Sequence, residues 1–315
     1  MTNDAAADAA FNVAAAAQLA CLLEATAPKP GNVSPDRSFA DSRYEDYLAS
    51  AAAIGGPLAG AGTRPLGTTI RLAVEATAQW TRSNTNLGLV LLLAPLARAA
   101  TAGKGVGSRF HREGGHFQDE RGLDEALGKG DGSAFLRDAV RRVLNATTVD
   151  DAREVYAAIR LAAPGGLGRV DEQDIAHEPD RTLLEVMRLA ADRDGVAREY
   201  ARAFEATFEV GAPALDRART GGLCWNDAIV ETFLTLLAAA PDTHIARRGG
   251  SALAADVSRR ARNVLAAGGV RSEDGRRAID EMDRALRDPR HLASPGTTAD
   301  LTAAAIFVVL LRRAL

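Results

Sequence analysis

This sequence predicts an all-α fold, and three observations carry the prediction. Apolar residues recur at helical three- and four-residue spacing through most of the 315 residues. Hydrophobic residues make up 47% of the chain but Phe, Trp and Tyr only 5%. Small side chains let helices approach closely, and Ala costs least to order. Strand-like alternation never runs beyond a few residues, and no fixed-period repeat or composition shift marks a boundary. One compact domain over residues 1–315, of roughly a dozen helices, is the simplest account.

The first helix reads from about Ala5 to Thr26, with apolar positions Phe11, Leu19, Leu22 and Leu23, and stops at Pro28 and Pro30. Residues 27–43 hold three prolines and a glycine and cannot be helical. Tyr44 to Ala59, Leu66–Gln79 and Leu87–Ala100 read as helices, the last two split by Thr81-Arg82-Ser83-Asn84-Thr85-Asn86. Residues 102–133, rich in Gly and charge and containing His111 and His116, read as a mobile excursion. Helices resume at Ala134–Leu144 and Val149–Leu161, with Thr148 as the cap of the second, and Ala163-Pro164-Gly165-Gly166-Leu167-Gly168 ends it. Further helices read at 181–192, 194–208, 222–239, 250–267, 273–287 and 297–314, with Asp180 or Thr182 starting the first and Asp194 the second.

Net charge is −3, from 38 Lys+Arg against 41 Asp+Glu, which excludes nucleic-acid binding through bulk positive charge. The N-terminal stretch carries acids and no Lys or Arg before its apolar run, unlike a secretory signal. The longest apolar run, Leu87 to Ala97, contains Pro95 and is too short to span a bilayer. The expectation is a soluble, cytoplasmic protein. Cys21 and Cys224 sit in apolar helical runs and read as two buried small hydrophobes. Apolar helices in this number leave a face for a homodimer, although no residue identifies one.

In a helical protein, chemistry concentrates at irregular junctions, because helix interiors satisfy their own backbone. Four stand out. Pro28-Lys29-Pro30-Gly31-Asn32-Val33-Ser34 reads as a phosphate site, one Lys held between prolines beside a Gly that can expose backbone N–H groups, or as a plain helix stop. Ser83-Asn84-Thr85-Asn86-Leu87-Gly88 reads as a helix cap or as an anion site at that helix N-terminus. Pro241-Asp242-Thr243-His244 with Arg247-Arg248-Gly249-Gly250 combines an acid, an imidazole, two cations and a Gly pair; function and a solvated face stand level. Ser294-Pro295-Gly296-Thr297-Thr298-Ala299-Asp300-Leu301 feeds the last helix, with Thr297 or Thr298 as cap and Asp300 in its first turn, structural or inward-pointing. No P-loop, nucleophile elbow, dinucleotide fingerprint or zinc spacing occurs. A divalent ion would be held by carboxylates and a substrate phosphate, as magnesium is.

Taken in order, Lys29-Pro30-Gly31, Asn84-Thr85-Asn86-Leu87-Gly88, Asp242-Thr243 with Arg248-Gly249-Gly250, and Pro295-Gly296-Thr297-Thr298-Ala299-Asp300-Leu301 resemble the triphosphoribosyl-dephospho-CoA synthase family. The resemblance implies an all-helical, magnesium-dependent transferase of cofactor biosynthesis. ATP loses adenine, and its triphosphoribosyl group moves to a ribose hydroxyl of 3'-dephospho-CoA. It further implies phosphate contact at Lys29, Gly31, Asn32, Arg248, Gly249 and Gly250, and substrate orientation by Asn84 and Asn86. Asp242 and Asp300 become the candidates for base and Mg2+ binding. The chain departs from the family pattern in several places. Asp36-Arg37-Ser38-Phe39-Ala40-Asp41 has no His, Asn86-Leu87 stands where the family has His-Lys, Pro164-Gly165-Gly166-Leu167-Gly168 has no carboxylate, and His244 replaces an Asn. It is similar to archaeal and methylotroph members. That admits a related transferase or kinase-like enzyme acting on a methanopterin- or methanofuran-type precursor, or a helical scaffold that has lost catalysis.

Overall fold

The computed structural model describes residues 2–39, 42–110, 132–165, 168, 170, 172–288 and 290–314. Its elements are helices, and among the described residues the only β feature is an isolated bridge between Ser34 and Arg37. The buried apolar side chains form one continuous cluster. At its centre lie α1 (Thr2–Thr26), α5 (Leu87–Phe110) and α15 (Gly296–Ala314). A helix apolar on every side must be central, and every residue from Ala303 to Val309 is at most 1% exposed. Among the described residues, no helix is long and apolar enough to cross a membrane.

Around this centre stand α2 (Tyr44–Ala53), α3 (Gly55–Ala59), α4 (Leu66–Ala78), α6 (Gly132–Asn145), α7 (Val149–Ala162), α8 (Leu183–Ala190) and α9 (Gly195–Ala201). A π-helical segment (Ala206–Gly211) leads into α10 (Ala212–Thr220), followed by α11 (Trp225–Ala239), α12 (Thr243–Gly249), α13 (Ser251–Ala266) and α14 (Glu273–Leu286). Thr148 caps α7, Thr182 caps α8 and Asp194 caps α9, each side chain accepting a backbone N–H three residues on.

Several expectations need correction. In α1, Phe11 is 71% exposed and Leu19 44%. The buried face is instead Val13, Ala16, Ala17, Ala20 and Cys21, because an alanine face lets α1 and α15 approach closely. The expected 44–59 helix breaks at Ile54 into α2 and α3. α5 does not end at Ala100: residues 102–110 of the expected excursion are helical, while 111–131, with His111 and His116, lie outside the described residues. Pro95 sits inside α5 and has no N–H for the Leu91 carbonyl; the buried Tyr200 hydroxyl donates to that carbonyl instead, at 2.7 Å. The expected 194–208 helix stops at Ala201. Ala203 and Phe204 take positive φ (49° and 59°), and buried Glu199 accepts from the N–H groups of Ala206 and Thr207 at the start of the π segment. α10 and α12 were not anticipated as helices. Cys224 is not buried but lies exposed at the N-cap of α11; Cys21 is buried.

Candidate functional site

A cavity of about 690 Å³ opens where the junctions meet, within the size range of small-molecule sites. All four singled-out junctions contribute to its wall: Asn32 and Val33, then Ser83 to Gly88, then His244, Arg247 and Arg248, then Ser294, Gly296, Thr297, Ala299 and Asp300. Val155 and Ile159 of α7 and Val186 and Met187 of α8 add apolar side chains to the same wall.

Of the expected site residues, Asn32, Asn84, Asn86, Arg248 and Asp300 line the cavity. Asn84 accepts from the Leu87 N–H at 3.2 Å as a cap of α5, and buried Asn86 donates to Thr77 Oγ1 at 2.8 Å. Lys29, Gly31, Asp242, Gly249 and Gly250 do not line it. Lys29 is 1% exposed, 3.0 Å from Glu24 Oε1, and its Nζ donates to the carbonyls of Glu24 and Ala27. A Lys so enclosed must be paired, and this one pins the end of α1. Gly31, at φ +74°, donates to Asp283 Oδ1 at 2.8 Å. Gly250, at φ +92°, turns the corner between α12 and α13.

The two expected acids have different surroundings. Asp242, 2% exposed, caps α12 through Oδ1, which accepts from Ile245 N–H at 3.0 Å. Its Oδ2 accepts from both the N–H and the hydroxyl of Thr298, each at 2.7 Å. The cap of α15 is thus supplied by Asp242 from another junction, and neither Thr297 nor Thr298 plays that role. Burial pushes the Asp242 carboxyl up, and these hydrogen bonds pull it part of the way back. Asp300 lies in the second turn of α15 and has no hydrogen bond or ion pair among the described residues. Burial, then Glu24, Asp242 and Asp194, hold its carboxyl well above the usual carboxylate range, with Arg247 opposing. Gly88 makes room for it: a Cβ there would lie 2.6 Å from Asp300 Cγ and closer still to Oδ2.

Sequence reasoning missed several wall residues. Glu24 is the lone acid of an otherwise apolar turn, a signal that was available. Asp194 caps α9 with Oδ1 and pairs with Arg247 through Oδ2. Arg82 and Arg193 line the cavity beside the expected Arg248, and none of the three has a carboxylate partner among the described residues. Burial, with Arg247 and Arg248 adding, pushes His244 down to about 4, so the ring is neutral at pH 7. Cationic side chains and the N-terminus of α5 together make this wall suited to anions. Among the described residues, no group of three or more His, Cys, Asp or Glu could hold a metal ion.

Residues 10–315 match the family model for ATP:dephospho-CoA triphosphoribosyl transferase. A Pseudomonas aeruginosa protein named "Probable 2-(5''-triphosphoribosyl)-3'-dephosphocoenzyme-A synthase" is 41% identical over 115 residues, 36% of this chain and 39% of that one. A Stutzerimonas stutzeri protein of the same name is 35% identical over 150 residues, 47% of this chain and 50% of that one. The chain therefore spans half or less of the length of these curated relatives. A crystal structure from Archaeoglobus fulgidus, given the provisional name triphosphoribosyl-dephospho-CoA synthase, superposes with a TM-score of 0.57 at 26% identity, covering 84% of this chain and 98% of that one. The family match takes in every junction on the cavity wall, and the chain belongs to the ATP:dephospho-CoA triphosphoribosyl transferase family.

Proposed function

We propose that this protein transfers the triphosphoribosyl group of ATP to a ribose hydroxyl of 3'-dephospho-CoA and releases adenine. The observation that carries the reading is the cavity wall itself: an unpaired carboxyl, Asp300, shares it with three arginines that have no carboxylate partner among the described residues. The arginines and the N-terminus of α5 face the triphosphate. Asp300 accepts the proton of the attacking hydroxyl as the new C1'–O bond forms and the C1'–N9 bond breaks, its electron pair leaving with adenine. A carboxyl whose proton affinity is raised is a stronger base, and its charge opposes the oxocarbenium-like charge at C1'. The apolar side chains of α7 and α8 on the wall suit the less polar arm of the acceptor.

Magnesium fits as an ion carried in by the triphosphate, since such ions keep most of their waters and need only one or two carboxylates. Asp242 does not fit, because both its oxygens are engaged as caps. Glu24, on the cavity wall with Oε2 in no hydrogen bond among the described residues, would hold the ion, which would offset phosphate charge.

The test is adenine release from Mg-ATP with and without 3'-dephospho-CoA, with mass analysis of the product. Adenine and the triphosphoribosylated acceptor should appear together and in equal amounts. If ATP binds but no adenine is released with the acceptor present, the reading is wrong.

A further inference from the structure

One end of the cavity bears a group that the proposed mechanism leaves unused. Asn32 lies on the wall, and its Nδ2 is buried without a hydrogen-bond partner. Its backbone is held on both sides: the preceding Gly31 N–H donates to Asp283, and Arg287 donates to the Asn32 carbonyl at 2.8 Å. Asp283 in turn accepts from Arg287 Nε at 2.8 Å and from Arg37 Nη1 at 2.7 Å, so a carboxylate paired twice fixes the whole turn. The amide is therefore presented rigidly and yet unsatisfied. Burying a donor without an acceptor costs about 1–3 kcal/mol, and such groups in native structures call for an explanation.

The same end of the cavity has an aromatic wall. The rings of Phe39 and His291, both lining residues, lie 4.2 Å apart, and the Arg287 guanidinium sits over the Phe39 ring at 5.4 Å. His291 takes φ +52°, a left-handed conformation that costs energy for a side chain of this kind. A fixed amide donor beside a planar apolar surface suits a flat heteroaromatic ring with acceptor nitrogens at its edge.

We propose that Asn32 and Phe39 form a purine subsite in which Asn32 Nδ2 donates to a ring nitrogen of adenine. This rests on the reading of the cavity as an adenine-nucleotide site, and it adds the residue that would recognise the base. Both substrates carry adenine. If the base is that of ATP, Asn32 also stabilises the electron pair arriving on the leaving group.

Binding of ATP, 7-deaza-, 3-deaza- and 1-deaza-ATP, and of dephospho-CoA with its matching deaza analogues, is measured by calorimetry on the full chain and on Asn32→Ala. Wild type should bind one deaza analogue about five-fold more weakly than its parent, one hydrogen bond's worth. Asn32→Ala should lose the same factor for the parent and show no further loss with that analogue. The substrate that shows this coupling identifies which adenine occupies the subsite. Asn32→Ala should melt at or above the wild-type temperature without ligand, because it removes an unsatisfied donor; a residue with a purely structural role would lower it. Equal binding of all parents by Asn32→Ala, or an equal loss for every parent and analogue, overturns the subsite while leaving the cavity reading intact. Failure of wild type to bind any adenine nucleotide overturns both.

Discussion

Asp242, buried, and Asp300, half-buried on the cavity wall, have opposite expected effects on stability, and substituting each gives the sharpest test. Asp242→Ala removes the cap of α12, worth about 1 kcal/mol. It also leaves the Thr298 N–H and hydroxyl buried without their acceptor, at about 1–3 kcal/mol each. The expected loss is about 3–7 kcal/mol, a large part of the ~5–15 kcal/mol that holds most domains folded. Asp300→Asn removes a charge that has no ion-pair or hydrogen-bond partner among the described residues. The folded carboxyl titrates above its unfolded value, so at neutral pH the ionised form lowers stability, and this deficit fades as pH falls through the folded pKa. Asp300→Asn should therefore be as stable as wild type or more so at pH 7.5, with the gain shrinking in acid. Urea unfolding followed by the fluorescence of Trp80 and Trp225 measures both, with adenine release assayed in parallel. Asp300→Asn should abolish turnover while leaving nucleotide binding within a few-fold. An Asp242→Ala protein within 1 kcal/mol of wild type, or an Asp300→Asn protein clearly less stable at pH 7.5, refutes the division of roles.

Other consequences follow from the same geometry. Gly88→Ala should cut turnover by on the order of 100-fold, since the new methyl displaces the Asp300 carboxylate; retention of full kcat shows that Asp300 is not needed where it stands. Arg248→Ala should raise the KM for ATP about ten-fold with a smaller change in kcat, and a change confined to kcat would contradict a phosphate contact. His244 is held neutral in the fold down to about 4, whereas the unfolded imidazole takes a proton below about 6.5. Its stabilising effect is thus complete above pH 6.5 and is lost between 6.5 and 4, on the order of 3 kcal/mol. His244→Gln should flatten that limb of the urea midpoint against pH, and an unaltered limb assigns it to other groups. Tyr200→Phe should cost about 1–3 kcal/mol by leaving the Leu91 carbonyl unpaired opposite Pro95, read as a shift of the urea midpoint.

Much of the helical framework was legible because periodicity and capping are local. Thr148, Thr182 and Asp194 each bond three residues away, so a short window contains the whole interaction. The π segment was not legible, because its cause is one carboxylate, Glu199, whose burial depends on tertiary packing. Phe11 was misread for a related reason: periodicity identifies a stripe, but the alanine stripe of α1 competes with it and fits closer against α15. In the site, the junctions were identifiable by composition, yet their inward residues were not. Lys29 and Arg248 look alike as junction cations, and only the fold reveals that one is enclosed with Glu24 while the other reaches the cavity. Asp242 and Asp300 look alike as junction acids, but the partner that occupies Asp242 is 56 residues away. The pairing of Phe39 with His291 joins opposite ends of the chain, beyond the reach of any local pattern.

The double cap made by Asp242 also sets a mechanical constraint. It couples α12, which bears His244, Arg247 and Arg248, to the start of α15, which bears Asp300 one turn further on. Thr243 and Thr297 add a second link at 3.1 Å, so the two helix starts move as a unit. Under the proposed reading, the backbone separation between the α12 arginines and Asp300 is therefore set before any substrate arrives. On that reading, such a ruler would select donors by the distance from their terminal phosphate to their anomeric carbon. A diphosphate or a tetraphosphate analogue would present the wrong atom to Asp300 even while satisfying every individual contact.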